Sequence, residues 1–101
     1  MELKDFTGKP CSSKASYEFL PKKKTIIDLE VARGEISTIG EVEIASKVLL
    51  IFSTKGKTVS LFKNGKILIR GEKEELKARA IAQIVCKALK ESAKERNGLF
   101  G

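Results

Sequence analysis

Asp28, Glu30, Glu41 and Glu43 are the residues whose types and spacing come nearest to chemistry. Each pair skips one residue along an extended-looking segment, so each pair would stand on one face of a strand. Oxygen donors gathered that way suit Mg²⁺, or acid–base work. The plainer reading is a set of solvent-facing acids that pair with basic residues of neighbouring strands or of a second subunit. The chain has no histidine, which removes the usual zinc sites, Ser-His triads and His acid–base pairs. Its two cysteines, Cys11 and Cys86, fit neither a metal spacing nor a disulfide framework. Cys86 lies in an apolar helical pattern and reads as a buried small hydrophobe. Cys11, in a polar stretch, reads as exposed. No nucleophile–base pair and no glycine-rich phosphate loop appears. The expectation is therefore a protein that is not an enzyme and holds no metal or cofactor.

Charge points to binding instead. The 101 residues carry 20 basic and 13 acidic side chains, a net charge of +7. Residues 55–71 hold Lys55, Lys57, Lys63, Lys66 and Arg70 and no acid, whereas residues 25–54 are net acidic. A basic excess favours anionic partners. The other reading is a Lys/Glu/Ile-rich thermophilic style in which charges dress a surface. Apolar residues make up 42% and charged residues 33%, a globular composition rather than a disordered one. The longest apolar run, Val48 to Phe52, falls far short of the ~20 residues a membrane helix needs, so no membrane partner is expected. The start, MELKDFTGK, places acids where a signal peptide would be basic, and a cytoplasmic location is the default expectation.

These residues need elements to position them. Residues 1–24 read as an N-terminal arm or an edge strand. Within them, Ala15 to Leu20 would put Tyr17 and Phe19 on one strand face before Pro21 and Lys22-Lys23-Lys24 interrupt. Thr25 to Val31 alternates, with Ile27, Leu29 and Val31 inward, and reads as a half-buried strand. Glu41 to Ala45 alternates again, with Val42 and Ile44 inward, and runs toward Lys47–Ser53, which is apolar on both faces and reads as a central strand. The β-branched content and Gly40 argue against a helix across Ile39 to Leu50. Two strands then flank Asn64-Gly65, expected to form a type I′ turn with positive φ at both residues. From Glu72 to Asn97 the period is helical. Leu76, Ala80, Ile81, Ile84, Val85, Ala88 and Leu89 form the apolar stripe, and Asn97-Gly98 is the stop. Residues 25–97 make one domain and 98–101 a loose tail. The expected class is α+β: an antiparallel meander of about five strands with one long C-terminal helix on one face. Val59, Leu61, Ile67 and Ile69 would lie under the helix, leaving Thr58, Ser60, Phe62, Lys66, Leu68 and Arg70 on the open face.

The stretch LFKNGKILIRGEKEELKARAIAQIVCKAL resembles the second part of one repeat of the TATA-box-binding protein family. The matching positions are Phe62, Asn64, Gly65, Lys66, Ile67, Leu68, Ile69, Gly71 and the acid-rich helix start from Glu72, about a third of the chain over residues 60–89. The resemblance implies a half-saddle whose open sheet face lies on a minor groove and wedges Phe side chains between base steps. Phe62 would be the wedge, Ser60, Leu68 and Arg70 groove contacts, and Lys66 a phosphate contact. The family carries two repeats per chain, so a saddle here requires a homodimer. The family's repeat also carries a first helix between its first two strands, for which residues 32–47 offer no convincing counterpart, and its second wedge position falls near Ala45, where no Phe stands.

Two functions follow as expectations. One is a non-catalytic nucleic-acid-binding module, for DNA or RNA, that uses Ser60, Phe62, Lys63, Lys66, Leu68 and Arg70 as a dimer. The other is a protein-interaction or assembly module with no nucleic-acid affinity, in which Ile26, Phe62 and Leu68 meet a partner or a second copy.

Overall fold

Strand alternation in this chain resolves into one broad antiparallel sheet. The computed structural model describes residues 3–11, 16–90 and 93–95. A short 3₁₀ turn, Leu3–Asp5, leads into β1 (Phe6–Cys11) and β2 (Ser16–Pro21). Next come β3 (Thr25–Ile27), α1 (Leu29–Ile36), β4 (Glu41–Ala45), β5 (Leu49–Thr54), β6 (Lys57–Phe62), β7 (Ile67–Arg70), α2 (Glu75–Ala88) and β8 (Ala93–Glu95). Six strands join in the order β1-β2-β7-β6-β5-β4, and β3 pairs with β8 in a separate two-stranded ribbon. So the class is α+β, with two helices where one was expected, and with β1 and β2 joined to the meander as its outer strands. β1 runs along β2 from Phe6 opposite Pro21 to Cys11 opposite Ser16, which makes it an edge strand.

One face of this sheet is the core. Tyr17 and Phe19 of β2, Leu50 and Phe52 of β5, Val59 and Leu61 of β6, and Ile67 and Ile69 of β7 are all buried there. Leu29, Ala32 and Ile36 of α1 and Ala78, Ile81, Ala82, Val85 and Cys86 of α2 complete the same cluster. Each large side chain so buried contributes on the order of 1.5–3 kcal/mol, which is why register is held: a one-residue slip would expose the whole set. Among the described residues no helix is long and apolar enough to cross a membrane.

The segment Thr25 to Val31 is a strand only as far as Ile27. Asp28 ends it by becoming a helix cap: its Oδ1 accepts from the Glu30 and Val31 backbone N–H groups at 3.2 and 3.3 Å. From there the buried positions are Leu29, Ala32 and Ile36, a helical spacing, and Val31 turns outward at 39% exposure. An apolar residue at every second position over so short a stretch suits either element, and the cap decides. Asp28→Ala is expected to destabilise the protein by about 1 kcal/mol, read from the urea midpoint of unfolding, while Glu30→Ala leaves it nearly unchanged.

The second helix is shorter than its sequence period. It ends at Ala88, with the Leu89 N–H bonded to Val85 O, and the Lys90 N–H donates to Glu35 Oε2 at 3.0 Å. The chain then turns back as β8 beside β3. The buried stripe is also rotated: Leu76 is 82% exposed and Ala80 exposed, while Ala78, Ala82 and Cys86 are buried. Because α2 contacts both the sheet and α1, its buried arc takes in positions that a single contact face would leave out. The stop at Asn97-Gly98 and the 98–101 tail lie outside the described residues.

The turns differ as well. Positive φ at two successive residues occurs at Lys55 (53°) and Gly56 (76°), so the primed turn joins β5 to β6. At the β6–β7 corner only Gly65 has positive φ, 92°. The Gly65 N–H donates to Phe62 O at 2.9 Å, and the Phe62 N–H to Lys66 O at 2.9 Å. That is a type I turn closed by a glycine bulge, and Asn64 Oδ1 accepts the Lys66 N–H at 3.0 Å in place of adopting positive φ itself.

Candidate binding face

The face of the sheet opposite the two helices is ordered in rows, because residues paired across antiparallel strands point the same way. The middle row runs Lys9, Glu18, Leu68, Ser60, Ile51, Ile44 from β1 to β4. Toward the β1 N-terminus and the β6–β7 turn lies Leu20, then Lys66, Phe62 and Leu49. Toward the other end lie Ser16, Arg70, Thr58, Ser53 and Glu41. Ser60, Phe62, Lys66, Leu68 and Arg70 are therefore adjacent on one face. Lys63 is apart from them: it stands exposed in the β6–β7 turn, its N–H bonded to Val48 O and its carbonyl to the Ile27 N–H.

Phe62, Leu68, Leu49 and Ile51 are half-buried, and Ile44 is 52% exposed, so an apolar band crosses β7 to β4. Ser60 lies in the middle of the band at 2% exposure. The band's outer surface is thus formed by the larger side chains beside it, and a ligand would touch those before the serine.

The charges of the face are largely spent on each other. Lys66 Nζ lies 3.3 Å from Glu18 Oε2 and 5.2 Å from the Phe62 ring centroid. Lys9 Nζ lies 3.8 Å from Glu18 Oε1. Glu18 is only 14% exposed, so its carboxylate is partly desolvated and gains from holding two ammonium groups. The cation over Phe62 occupies the ring face that a base would stack on. At the β4 edge, Ser53 Oγ donates to Glu43. Arg70 is exposed, and among the described residues it makes no ion pair.

Comparison with protein-family models, with curated proteins and with solved structures finds no match.

The acids singled out by their spacing do not assemble. Asp28 caps α1 and Glu30 stands on that helix's first turn, away from the sheet. Glu41 pairs across from Ser53, and a bulge separates Val42 from Ile44. The bulge reverses the expected inward place of Ile44, which joins the open face opposite Ile51 while Val42 stays on the core side opposite Phe52. Among the described residues no group of three or more His, Cys, Asp or Glu is placed to hold a metal. Cys86 is buried, which pushes its thiol up to about 11 and keeps it protonated and unreactive at neutral pH.

Glu18, Lys9, Ile51 and Ile44 are members of the face that sequence reasoning missed. The alternation Ser16, Glu18, Leu20 against Tyr17 and Phe19 was the signal for Glu18. Using it requires knowing that β2 lies beside β7, a pairing that no local pattern encodes.

Proposed function

We propose that this protein is a non-catalytic nucleic-acid-binding module that works through the open sheet face. The observation that carries the reading is the adjacency of Phe62, Lys66, Leu68 and Arg70 on two paired strands of the face that neither helix covers. An aromatic ring, two cations and an apolar surface in one plane suit a polymer of stackable bases and phosphates. The TATA-box-binding-protein-like half-repeat is the fold reading proposed with it. In support, α1 falls between β2 and β4, where the family's repeat carries its first helix, and β4 to β7 with α2 follow in order. A saddle-shaped platform then takes two copies of the chain. Stacking requires the half-buried Lys66 side chain to leave the Phe62 ring and exchange Glu18 for a phosphate.

A second reading, protein assembly without nucleic acid, is favoured by the apolar band that ends in the exposed Ile44, and by the near balance of Lys9, Lys66 and Arg70 against Glu18, Glu41 and Glu43. Fluorescence anisotropy separates the two. Labelled duplex DNA and single-stranded RNA are titrated with the wild type and with a Phe62→Ala/Arg70→Glu variant between about 50 and 200 mM salt. The expected result is binding that weakens steeply with salt and drops at least tenfold in the variant, on the order of one lost stacking contact. Absence of wild-type binding at the lowest salt, with a mass that rises with concentration, establishes the assembly reading instead.

A further inference from the structure

The open face carries little net charge, so the basic excess of the chain lies elsewhere. Lys22 and Lys24 follow β2, Lys47 lies in the β4–β5 turn and Lys63 in the β6–β7 turn, far apart in sequence. The fold gathers these loops at one end of the sheet. The Lys63 N–H donates to Val48 O at 2.9 Å, and the Ile27 N–H to Lys63 O at 2.8 Å. A Cβ on Gly65 would lie 2.7 Å from Pro21 Cγ and 3.3 Å from the Thr25 side chain, so the turn is packed against the loop that bears Lys22 and Lys24. All four lysines are exposed, and among the described residues none of them makes an ion pair. Among the described residues the carboxylates of the adjoining segments are Asp28, which caps α1, the half-buried Asp5, Glu30, exposed on α1, and Glu95, which pairs opposite Thr25.

Resting on the nucleic-acid reading, we infer that this sheet end, through Lys22, Lys24, Lys47 and Lys63, is the phosphate-contacting part of the interface. Of the cations on the open face, Lys66 and Lys9 are already held by Glu18, which leaves Arg70 as the one that makes no ion pair among the described residues, against four at the sheet end. The row Leu20, Lys66, Phe62, Leu49 begins next to this end. Unpaired ammonium groups therefore adjoin an apolar and aromatic strip, which suits a nucleic-acid strand whose backbone runs across the sheet end and whose bases lie on the strip. An acidic protein or lipid surface would use the lysines and leave the strip idle. Lysine fits the role as a mobile point charge that follows phosphates without fixing sequence.

The test compares two variants with the same loss of charge. One is Lys22→Gln/Lys24→Gln/Lys47→Gln/Lys63→Gln. The other is Lys73→Gln/Lys77→Gln/Lys87→Gln/Lys90→Gln, on and beside α2, with circular dichroism to check that both fold. Binding of a labelled mixed-sequence single-stranded oligonucleotide is followed across a salt series. The expected result is a plot of log K against log salt that is shallower by about 3 for the sheet-end variant, with affinity at low salt at least tenfold weaker. The α2 variant should keep the wild-type slope. Equal losses in the two variants, or an unchanged slope in the first, overturn the inference while the open-face reading stands. A wild type that binds no oligonucleotide at low salt but binds phosphatidylserine vesicles overturns both, and makes this end a membrane-surface patch.

Discussion

Phe19→Ala is expected to cost about 3–5 kcal/mol, the largest effect of any single substitution considered for this chain. Phe19 is fully buried, pairs across with Gly8 on one side and Ile67 on the other, and its ring centroid lies 5.2 Å from that of Tyr17. It also closes over β1: a Cβ on Gly8 would lie 2.6 Å from Phe19 Cε1, so the missing side chain at Gly8 is the space the ring fills. Removing the ring leaves a cavity that β1, β2 and β7 share, and rigid paired strands cannot collapse into it. Chemical denaturation checks this through a lower urea midpoint at unchanged m-value. Phe19→Leu should recover most of the loss, because volume-conserving swaps cost under about 1.5 kcal/mol. Cys86 supplies an independent readout. In a Cys11→Ser background its buried thiol reacts with a thiol reagent only when the domain opens, so a loss of about 4 kcal/mol should raise the labelling rate by about a thousandfold. A wild-type rate in Phe19→Ala would mean that β1 and β2 lie off the core.

Gly40→Ala is expected to cost about 3 kcal/mol, for a different reason. A Cβ there would overlap the Ser53 backbone carbonyl oxygen and sit 3.2 Å from Thr54 Cβ. The obstacle is backbone of β5, not the tip of a flexible side chain. Nor can Gly40 easily move: its N–H donates to Ile36 O at 3.1 Å, and Ile39 O accepts Thr54 Oγ1 at 2.9 Å. The start of β4 must peel away from β5. With ~4–8 °C of melting temperature per kcal/mol for a domain of this size, thermal unfolding should occur about 12–24 °C lower. Gly34→Ala is the control. A Cβ on Gly34 meets nothing within 4 Å, and the residue lies inside α1, so alanine should stabilise by about 0.5–1 kcal/mol. A common sign for both substitutions would contradict the packing of α1 and β4 described here.

Much of the fold was legible because its signals are local. β2, β6 and β7 each alternate over enough residues to show a face, and Val59, Leu61, Ile67 and Ile69 are buried as that alternation requires, while β5 was legible as a central strand from its apolar run. The C-terminal helix was legible from its period, though its end was not. Its charged last turns keep helical composition, and only packing against β3 makes the chain turn back as β8. The first helix was obscured by Ile27, Leu29 and Val31, whose spacing suits a strand until Asp28 caps the segment. At Asn64-Gly65 a hairpin was legible but not its type. Asn64 meets the turn with a side-chain hydrogen bond to the Lys66 N–H, so one positive φ suffices.

By itself the sequence determined that the chain has no histidine chemistry, that a hairpin joins Phe62 to Ile67, and that Phe62, Leu68 and Arg70 share a face, since strand periodicity is a property of consecutive residues. Only the tertiary structure decided what lies beside them. β2 sits next to β7, so Glu18 draws Lys66 and Lys9 into pairs and quiets the charge of the open face. The same closure brings Lys22, Lys24, Lys47 and Lys63 to one end of the sheet. The reason is physical: pairing between distant strands is selected by burial of the whole apolar face at once, and no short stretch of sequence carries that sum.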